Sequence, residues 1–464
     1  MSEPGRRTNG AGTELLEPLP GAGREAAISP QVEIVGIERR PLDADRLVGA
    51  ELDRPREGDG WSGHTLSLAG WALGTDVPAV AVDLVHEGRV LRKVPLAMQR
   101  GDVIERHGDR AGGRARCGFR TSVTTIGLPD PFEVLVRIVF DDGGLHPLAL
   151  IRGRHHGLET GYEPALRPIG VTTLGRTGST WLMKLLGAHP EVAVHGGYPF
   201  ETRSAAYWLH MVRVLSDPAN PLQSSHPDAF SDDLWSIGHH PFHRESLIDE
   251  PELWSWFAGA YPARLAELAQ RSIDEFYGRV AAGSGRPDAI RFAEKLVPGH
   301  IPWLMWELYP DAGEILLVRD FRDMACSILA FNEKRGFVAF GRENVGSDAE
   351  FIERNLRAGA HGLLKSWRQR QDRLQLLRYE DLVLEPETTL ETLCEGLGLA
   401  ADPGTIAGVL EGASRPDGAL AGHRTARDPR ASIERWRTEL SPELVSACRT
   451  AFAEPLEAFG YALD

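Results

Sequence analysis

The sequence predicts an α/β protein, with a doubly wound parallel sheet preceded by a small antiparallel β domain. Two observations carry this. Beyond about residue 168, short apolar runs alternate with stretches of helical period, the pattern of strand and helix units in a parallel sheet. Between about Val32 and Arg154 the runs are short, alternating and punctuated by turn residues, as in HTLSLAGWAL, AVAVDLVHEG and FEVLVRIVFDDGG. That texture predicts a β-sandwich-like accessory domain.

The expected divisions follow from composition. Residues 1–31 are rich in Gly, Pro, Glu and Arg and cannot bury enough apolar surface to offset their ordering entropy, so a disordered arm is expected there. Residues 32–154 form the β domain. The stretch HHGLETGYEPALRP, residues 155–168, reads as a linker whose two prolines discourage regular pairing. Residues 169–464 form the α/β domain.

Bulk properties exclude several classes. A chain of 464 residues with 42% hydrophobic side chains has ample material for packed cores. Its formal charge of −15 argues against nucleic acid as a partner, because a sequence-independent grip on phosphate backbone needs a basic face. Any bound anion must therefore meet a local pocket. Cys117, Cys326, Cys394 and Cys448 lie far apart and form neither a metal pair nor a disulfide framework, so reduced thiols are expected. No apolar run approaches the roughly 20 residues that span a bilayer. The opening MSEPGRRTNGAGTELLEPLPGAG has no apolar core of the signal-peptide kind, and a cytoplasmic protein is expected.

In the α/β region, RPIGVTTLG reads as a strand and STWLMKLLGAHP as a helix ended by Gly187 and Pro190. AGEILLVRD leads into the helical FRDMACSILAFNEKRG, where Met324, Ser327, Ile328 and Phe331 are expected on one face. RLQLLRYED precedes the helical TTLETLCEGLGL. Sheets of this kind bind ligands at the carboxyl ends of their strands, and three motifs fall there.

In the first, GRTGSTW, glycines allow a tight turn whose N–H groups and following helix N-terminus can face an anion, with Arg176 adding a fixed charge. An ordinary strand-to-helix turn would look similar. The nucleotide-hydrolysing pattern G-x-x-x-x-G-K-S/T is not met, since Gly175 and Gly178 are too close and no lysine precedes Ser179. In the second, LLVRDFRDMACSIL, Arg319 offers a planar fork suited to phosphate and Ser327 a hydroxyl to complete the pocket. The third, RYEDL, is equally compatible with a buried tyrosine beside a capped helix.

Taken together, from roughly Arg167 onward, the three motifs resemble the sulfotransferase superfamily, P-loop-like enzymes that use 3′-phosphoadenosine 5′-phosphosulfate (PAPS) and release adenosine 3′,5′-bisphosphate (PAP). The resemblance implies that Arg176, Thr177, Gly178, Ser179 and Thr180 grip the 5′-phosphosulfate and that Trp181 stacks on adenine. It implies likewise that Arg319 and Ser327 clamp the 3′-phosphate and that Tyr379 lies near the nucleotide. A sulfuryl group in transit carries less negative charge than a phosphoryl group, so amides and a few cations can suffice without lysine and Mg²⁺ at the loop. No metal is expected.

A hydroxyl acceptor needs a general base, and HPEVAVHGGYPFETR offers His195 and Glu201. The resemblance favours Glu201, with His195 as a loop residue. Lys295, expected before a helix that a short strand precedes, resembles a family lysine aimed at the transferring group, where it and Arg176 would stabilise developing charge. The triplet His239, His240 and His243 lacks carboxylate or cysteine partners at ligand spacing, so a metal is not expected there. Arg435 and Trp436, in SIERWRTELSPE, resemble a segment of bacterial members that touches nucleotide. The function implied is sulfuryl transfer from PAPS to a hydroxyl of a small-molecule, natural-product or glycan acceptor. Alternatives are an ATP-dependent small-molecule kinase of P-loop type, or a carbohydrate-binding scaffold without catalysis.

Overall fold

The computed structural model describes residues 30–107, 116–218, 250–299, 301–415, 425 and 428–464. Almost all of the expected N-terminal arm and the histidine triplet fall outside the described residues. The chain divides into two compact units. The first comprises Met1–Thr125, Pro129–His156 and Ser216–Tyr261, and the second Ile126–Leu128, Gly157–Leu215 and Pro262–Asp464.

The first unit is built from antiparallel strands: β1 (Val32–Arg39), β2 (Leu47–Arg54), β3 (Gly60–Trp61), β4 (Thr65–Gly74), β5 (Ala79–His86), β6 (Arg89–Pro95), β7 (Met98–Gln99), β8 (Arg116–Thr124), β9 (Phe132–Phe140) and β10 (Leu145–His155). They form a six-stranded sheet, β3-β1-β10-β9-β5-β6, and a four-stranded one, β2-β4-β8-β7. The DDGG turn joins β9 to β10, with Gly143 at φ +81° and Gly144 N–H donating to the Asp142 carboxylate over 2.8 Å. β4 departs from simple alternation, because all ten of its residues are buried. Gly70 is required in it, since a Cβ there would lie 2.4 Å from the Glu51 carbonyl oxygen. The later segment at Asp217 is tied into the same unit, its carboxylate accepting from Thr124 N–H and pairing with Arg92 at 2.8 Å.

The second unit holds a five-stranded sheet in which every pairing is parallel. Its strands are β11 (Arg167–Thr173), β12 (Val192–Ala193), β13 (Arg291–Leu296), β14 (Gly313–Val318) and β15 (Gln375–Arg378), in the order β12-β13-β11-β14-β15. Parallel strands read as continuous apolar runs because both faces are covered. β14 shows this: Ile315 and Leu317 enter one hydrophobic cluster, and Leu316 and Val318 another. Pro168 is tolerated because β14 begins to pair only at Ile169, so the missing N–H falls at the start of the strand. The preceding stretch is held by Asp274, whose carboxylate accepts from Tyr162 O–H and from Ala165 and Leu166 N–H.

Helices follow the strands. α1 (Gly101–His107) belongs to the first unit; α2 (Ser179–Ala188), α3 (Ser204–Ser216), α4 (Tyr261–Gly283), α5 (Ile301–Leu308), α6 (Phe321–Arg335), α7 (Arg357–Arg370) and α8 (Tyr379–Leu384) surround the parallel sheet. α6 starts at Asp320, which caps Arg322 N–H, and stops at Gly336 with φ +71°. Its four expected same-face residues separate: Met324 and Ile328 join a core cluster, whereas Ser327 lines a cavity and Phe331 supports an arginine beside it. The helix is buried on more than one face, so a single stripe does not describe it. The buried Arg370–Glu314 pair, 2.9 Å apart and about 1% exposed, pins α7 to β14. No helix among the described residues is long and apolar enough to cross a membrane. All four cysteines are buried and unpaired.

Candidate active site

The carboxyl ends of β11, β13, β14 and β15 converge on a cavity of about 670 Å³, within the range of small-molecule sites. Its floor is the turn between β11 and α2. Arg176 sits there at φ +66° and Gly178 at φ +90°. A left-handed arginine costs roughly 1–2 kcal/mol, so the surroundings must hold it. They do: Arg176 Nε donates to Ser327 Oγ at 3.2 Å, and its guanidinium lies 4.4 Å from the Phe331 ring centroid. This places the Arg176 guanidinium beside Ser327 of α6, close enough to Arg319 and Lys295 to act on their charges.

Gly178 cannot be replaced without displacing Tyr379, because a Cβ would lie 2.3 Å from that ring. Tyr379 also shares a hydrogen bond with Ser432 Oγ at 3.1 Å and meets Trp181 edge-on at 6.4 Å. Ser179, Thr180 and Trp181 line the cavity. Thr177 does not. Its hydroxyl is fully buried, pairing with Thr173 Oγ1 at 2.6 Å and the Leu174 carbonyl at 3.0 Å, so it stiffens the loop from beneath.

Arg319, 4% exposed, donates to the Arg176 carbonyl at 3.1 Å and the Ser432 carbonyl at 2.6 Å, and stacks 4.7 Å from the centre of the Tyr379 ring. Its buried Nε has no hydrogen-bond partner among the described residues. Lys295 is the penultimate residue of β13, the short strand that precedes α5, opposite Val171 of β11, and is only 4% exposed. The residues on either side of it pair with β11, which carries the lysine into the sheet. Its Nζ donates to Thr180 Oγ1 at 2.9 Å and the Pro199 carbonyl at 2.7 Å, and lies 3.8 Å from Glu201.

Burial lowers the Lys295 pKa to about 8, with Glu201 opposing the shift and Arg203 and Arg176 adding to it. Burial first, then Arg319, lowers Arg176 to about 10. Among the described residues five cations line the cavity, Lys295 and Arg319 buried, Arg176 and Lys184 half-buried and Arg203 exposed, against one carboxylate, Glu201. Buried like charges in an acidic protein are costly unless a bound anion compensates them. The residues therefore fit a ligand with more than one anionic group.

Glu201 is half-exposed at the cavity wall. His195 is outside the lining; its Nδ1 is 2.9 Å from Thr202 Oγ1 and its ring packs 5.9 Å from Phe276. Arg435 and Trp436 are also outside the lining. Arg435 pairs with Glu439 at 2.6 Å, and Trp436 packs under Arg322 at 4.0 Å. Their segment contributes Ser432, Pro429 and Thr425 instead. Sequence reading missed these, as it missed Lys184, Arg203 and Phe340. The SIERW resemblance was their only signal, and it pointed a few residues too far along.

The sulfotransferase family profile matches residues 168–403. The chain belongs to the sulfotransferase family. It is 33% identical over 103 residues to carbohydrate sulfotransferase 1 of Mus musculus, a match covering 22% of this chain and 24% of the relative. With the Danio rerio protein of the same name it shares 32% over 91 residues, 19% of this chain and 22% of that one. The matched stretch thus spans about a quarter of the length of these curated relatives. Among solved structures, a sulfotransferase domain from the curacin biosynthetic pathway aligns with TM-score 0.38 and 18% identity, covering 65% of this chain and all of that one. A mouse sulfotransferase, SULT7A1, complexed with PAP aligns with TM-score 0.35 and 11% identity over 63% of this chain and 85% of that one.

Proposed function

We propose that this chain transfers a sulfuryl group from PAPS to a hydroxyl of a carbohydrate acceptor. The observation that carries the reading is the set of cations, buried Lys295 and Arg319 with half-buried Arg176, around one cavity at the carboxyl edge of the parallel sheet of a sulfotransferase-family chain. The name of the curated relatives supports carbohydrate as the acceptor class. When bound, PAPS supplies the sulfuryl group and, as PAP, its leaving group. Arg319, Ser327 and Arg176 form a fork and hydroxyl set for the 3′-phosphate. Ser179, Thr180 and the loop amides at the start of α2 face the 5′ side, and Trp181 offers an aromatic face for adenine. Lys295 stabilises the charge that develops as the bridging bond breaks, and Glu201 takes the acceptor proton as the new O–S bond forms. A cytoplasmic setting belongs to the same proposal, supported by four cysteines kept as free buried thiols.

The test is calorimetry of PAP with and without EDTA, followed by labelled PAPS offered to a panel of methyl glycosides. PAP should bind equally in both, because the positive field comes from the protein. A requirement for Mg²⁺, or binding of ATP with no affinity for PAP, would sink the reading. Label passing only to phenols would remove the carbohydrate part alone.

A pH dependence follows from Lys295. An anion prefers its ammonium form, so PAP affinity should be level between about pH 7, where the phosphate monoesters of PAP are already doubly charged, and about pH 8, and fall as pH rises through the Lys295 pKa near 8. Lys295→Met should weaken binding at neutral pH and flatten this decline. A parent profile that stays level from neutral to well above pH 8 would show that Lys295 does not face the nucleotide.

A further inference from the structure

Consecutive residues on a strand face opposite ways, and β13 uses this at Glu294 and Lys295. Lys295 points to the cavity and fastens the Pro199 carbonyl at 2.7 Å. Glu294, 3% exposed, points to the other face and accepts from Ala205 N–H at 2.6 Å and Ala206 N–H at 3.1 Å, in the first turn of α3. A buried carboxylate at a helix N-terminus satisfies N–H groups that have no partner within the helix and complements its dipole. Tyr277 of α4 donates its hydroxyl to the same carboxylate. Burial, then the neighbouring Glu294 charge, pushes the Tyr277 hydroxyl well above its ordinary value, so it stays a donor. The segment carrying Glu201 and Arg203 is thereby strung between two anchors on adjacent residues of one strand.

We infer that Glu294 is a positioning residue for Glu201, holding that carboxylate beside Lys295 through the first turn of α3. The inference rests on the reading of the cavity as a PAP site with Glu201 as base. Glu294 has no contact with the cavity and acts only through the chain it fixes. If it is loosened, Glu201 moves away from Lys295 and stops supporting the ammonium. The charged and titratable groups facing Lys295 are Glu201, Arg203 and Arg176, and those facing Glu294 are Tyr277, Arg203 and Tyr309.

The experiment is a double-mutant cycle on the full chain, read by PAP calorimetry from about pH 6 to about pH 10, the range that brackets a perturbed lysine. Glu201→Gln removes the supporting charge and should move the decline in PAP affinity to lower pH. Glu294→Gln, which keeps its size and one acceptor oxygen, should do nearly the same. Above the parent's midpoint either variant should bind PAP roughly three- to tenfold more weakly than the parent chain. In the Glu201→Gln background, Glu294→Gln should add no shift, because the group it positions is gone. Two results overturn the inference while leaving the PAP reading intact. One is a Glu294→Gln midpoint equal to the parent's; the other is an equal shift in both backgrounds, which would mean that the Glu294 charge acts on Lys295 directly. A parent chain that does not bind PAP at any pH overturns the underlying reading and the inference with it. Should Glu294→Gln fail to fold, Tyr277→Phe removes one hydrogen bond to the same carboxylate and should give a smaller shift with the same dependence on background. No shift in Tyr277→Phe then counts against the inference.

Discussion

Glu201→Gln should lower turnover roughly 10²- to 10⁴-fold while leaving PAP affinity nearly unchanged at a pH below the Lys295 titration. The substitution keeps the side chain's size and most of its hydrogen bonding but removes its basicity. Glu201 is well placed for the role: half-exposed at the cavity wall, it can reach an incoming hydroxyl, and 3.8 Å from Lys295 it adjoins the cation assigned to the leaving oxygen. His195→Asn should be mild, because His195 is engaged with Thr202 and Phe276 away from the lining. Parallel measurement of labelled-sulfuryl transfer and PAP calorimetry separates the effects. A silent His195→Asn with an inactive Glu201→Gln that still binds PAP supports the assignment. An active Glu201→Gln with an inactive His195→Asn would transfer proton removal to the histidine.

Those two candidates were legible in the sequence for different reasons. A strand, turn and helix in sequence form a local unit, so GRTGSTW, LLVRDFRDMACSIL and RYEDL could each be placed at a strand end from apolar runs and turn residues alone. What local pattern could not fix was side-chain direction within a motif. Thr177 reads like its neighbours Ser179 and Thr180, yet its hydroxyl turns under the loop to Thr173. Arg176 reads as a cation of the first motif, yet its side chain reaches Ser327, 151 residues away along the chain. Long-range closure was the second blind spot. Ser432 and Thr425 reach the cavity because Arg319 and Tyr379 bond to Ser432 and Arg176 reaches toward Thr425, contacts with no periodicity to announce them. FAEKL contains two charged residues and is a strand nonetheless, because it pairs with β11 along its length and each charge has partners.

The same buried contacts set the size of the effect expected at Arg319. Arg319→Ala should weaken PAP binding by about 2–3 kcal/mol, roughly 30- to 150-fold, because a charge-assisted fork to phosphate is lost. Its uncommitted Nε and its stacking on Tyr379 hold the guanidinium ready for an anion, so little ordering remains to oppose binding. The substitution also frees the Arg176 and Ser432 carbonyls that Arg319 now satisfies, so the turn bearing Arg176 loosens as well. Arg319→Lys discriminates between these contributions. A lysine restores the charge but not the planar fork, and cannot bridge both carbonyls while facing a phosphate, so its affinity should fall between those of the parent and Arg319→Ala. Calorimetry of PAP, with thermal unfolding of each variant as a control for folding, is the measurement. Unchanged affinity in Arg319→Ala would show that Arg319 only braces the loop. Equal loss in Arg319→Lys and Arg319→Ala would assign the effect to the lost fork geometry and leave no separate role for the charge.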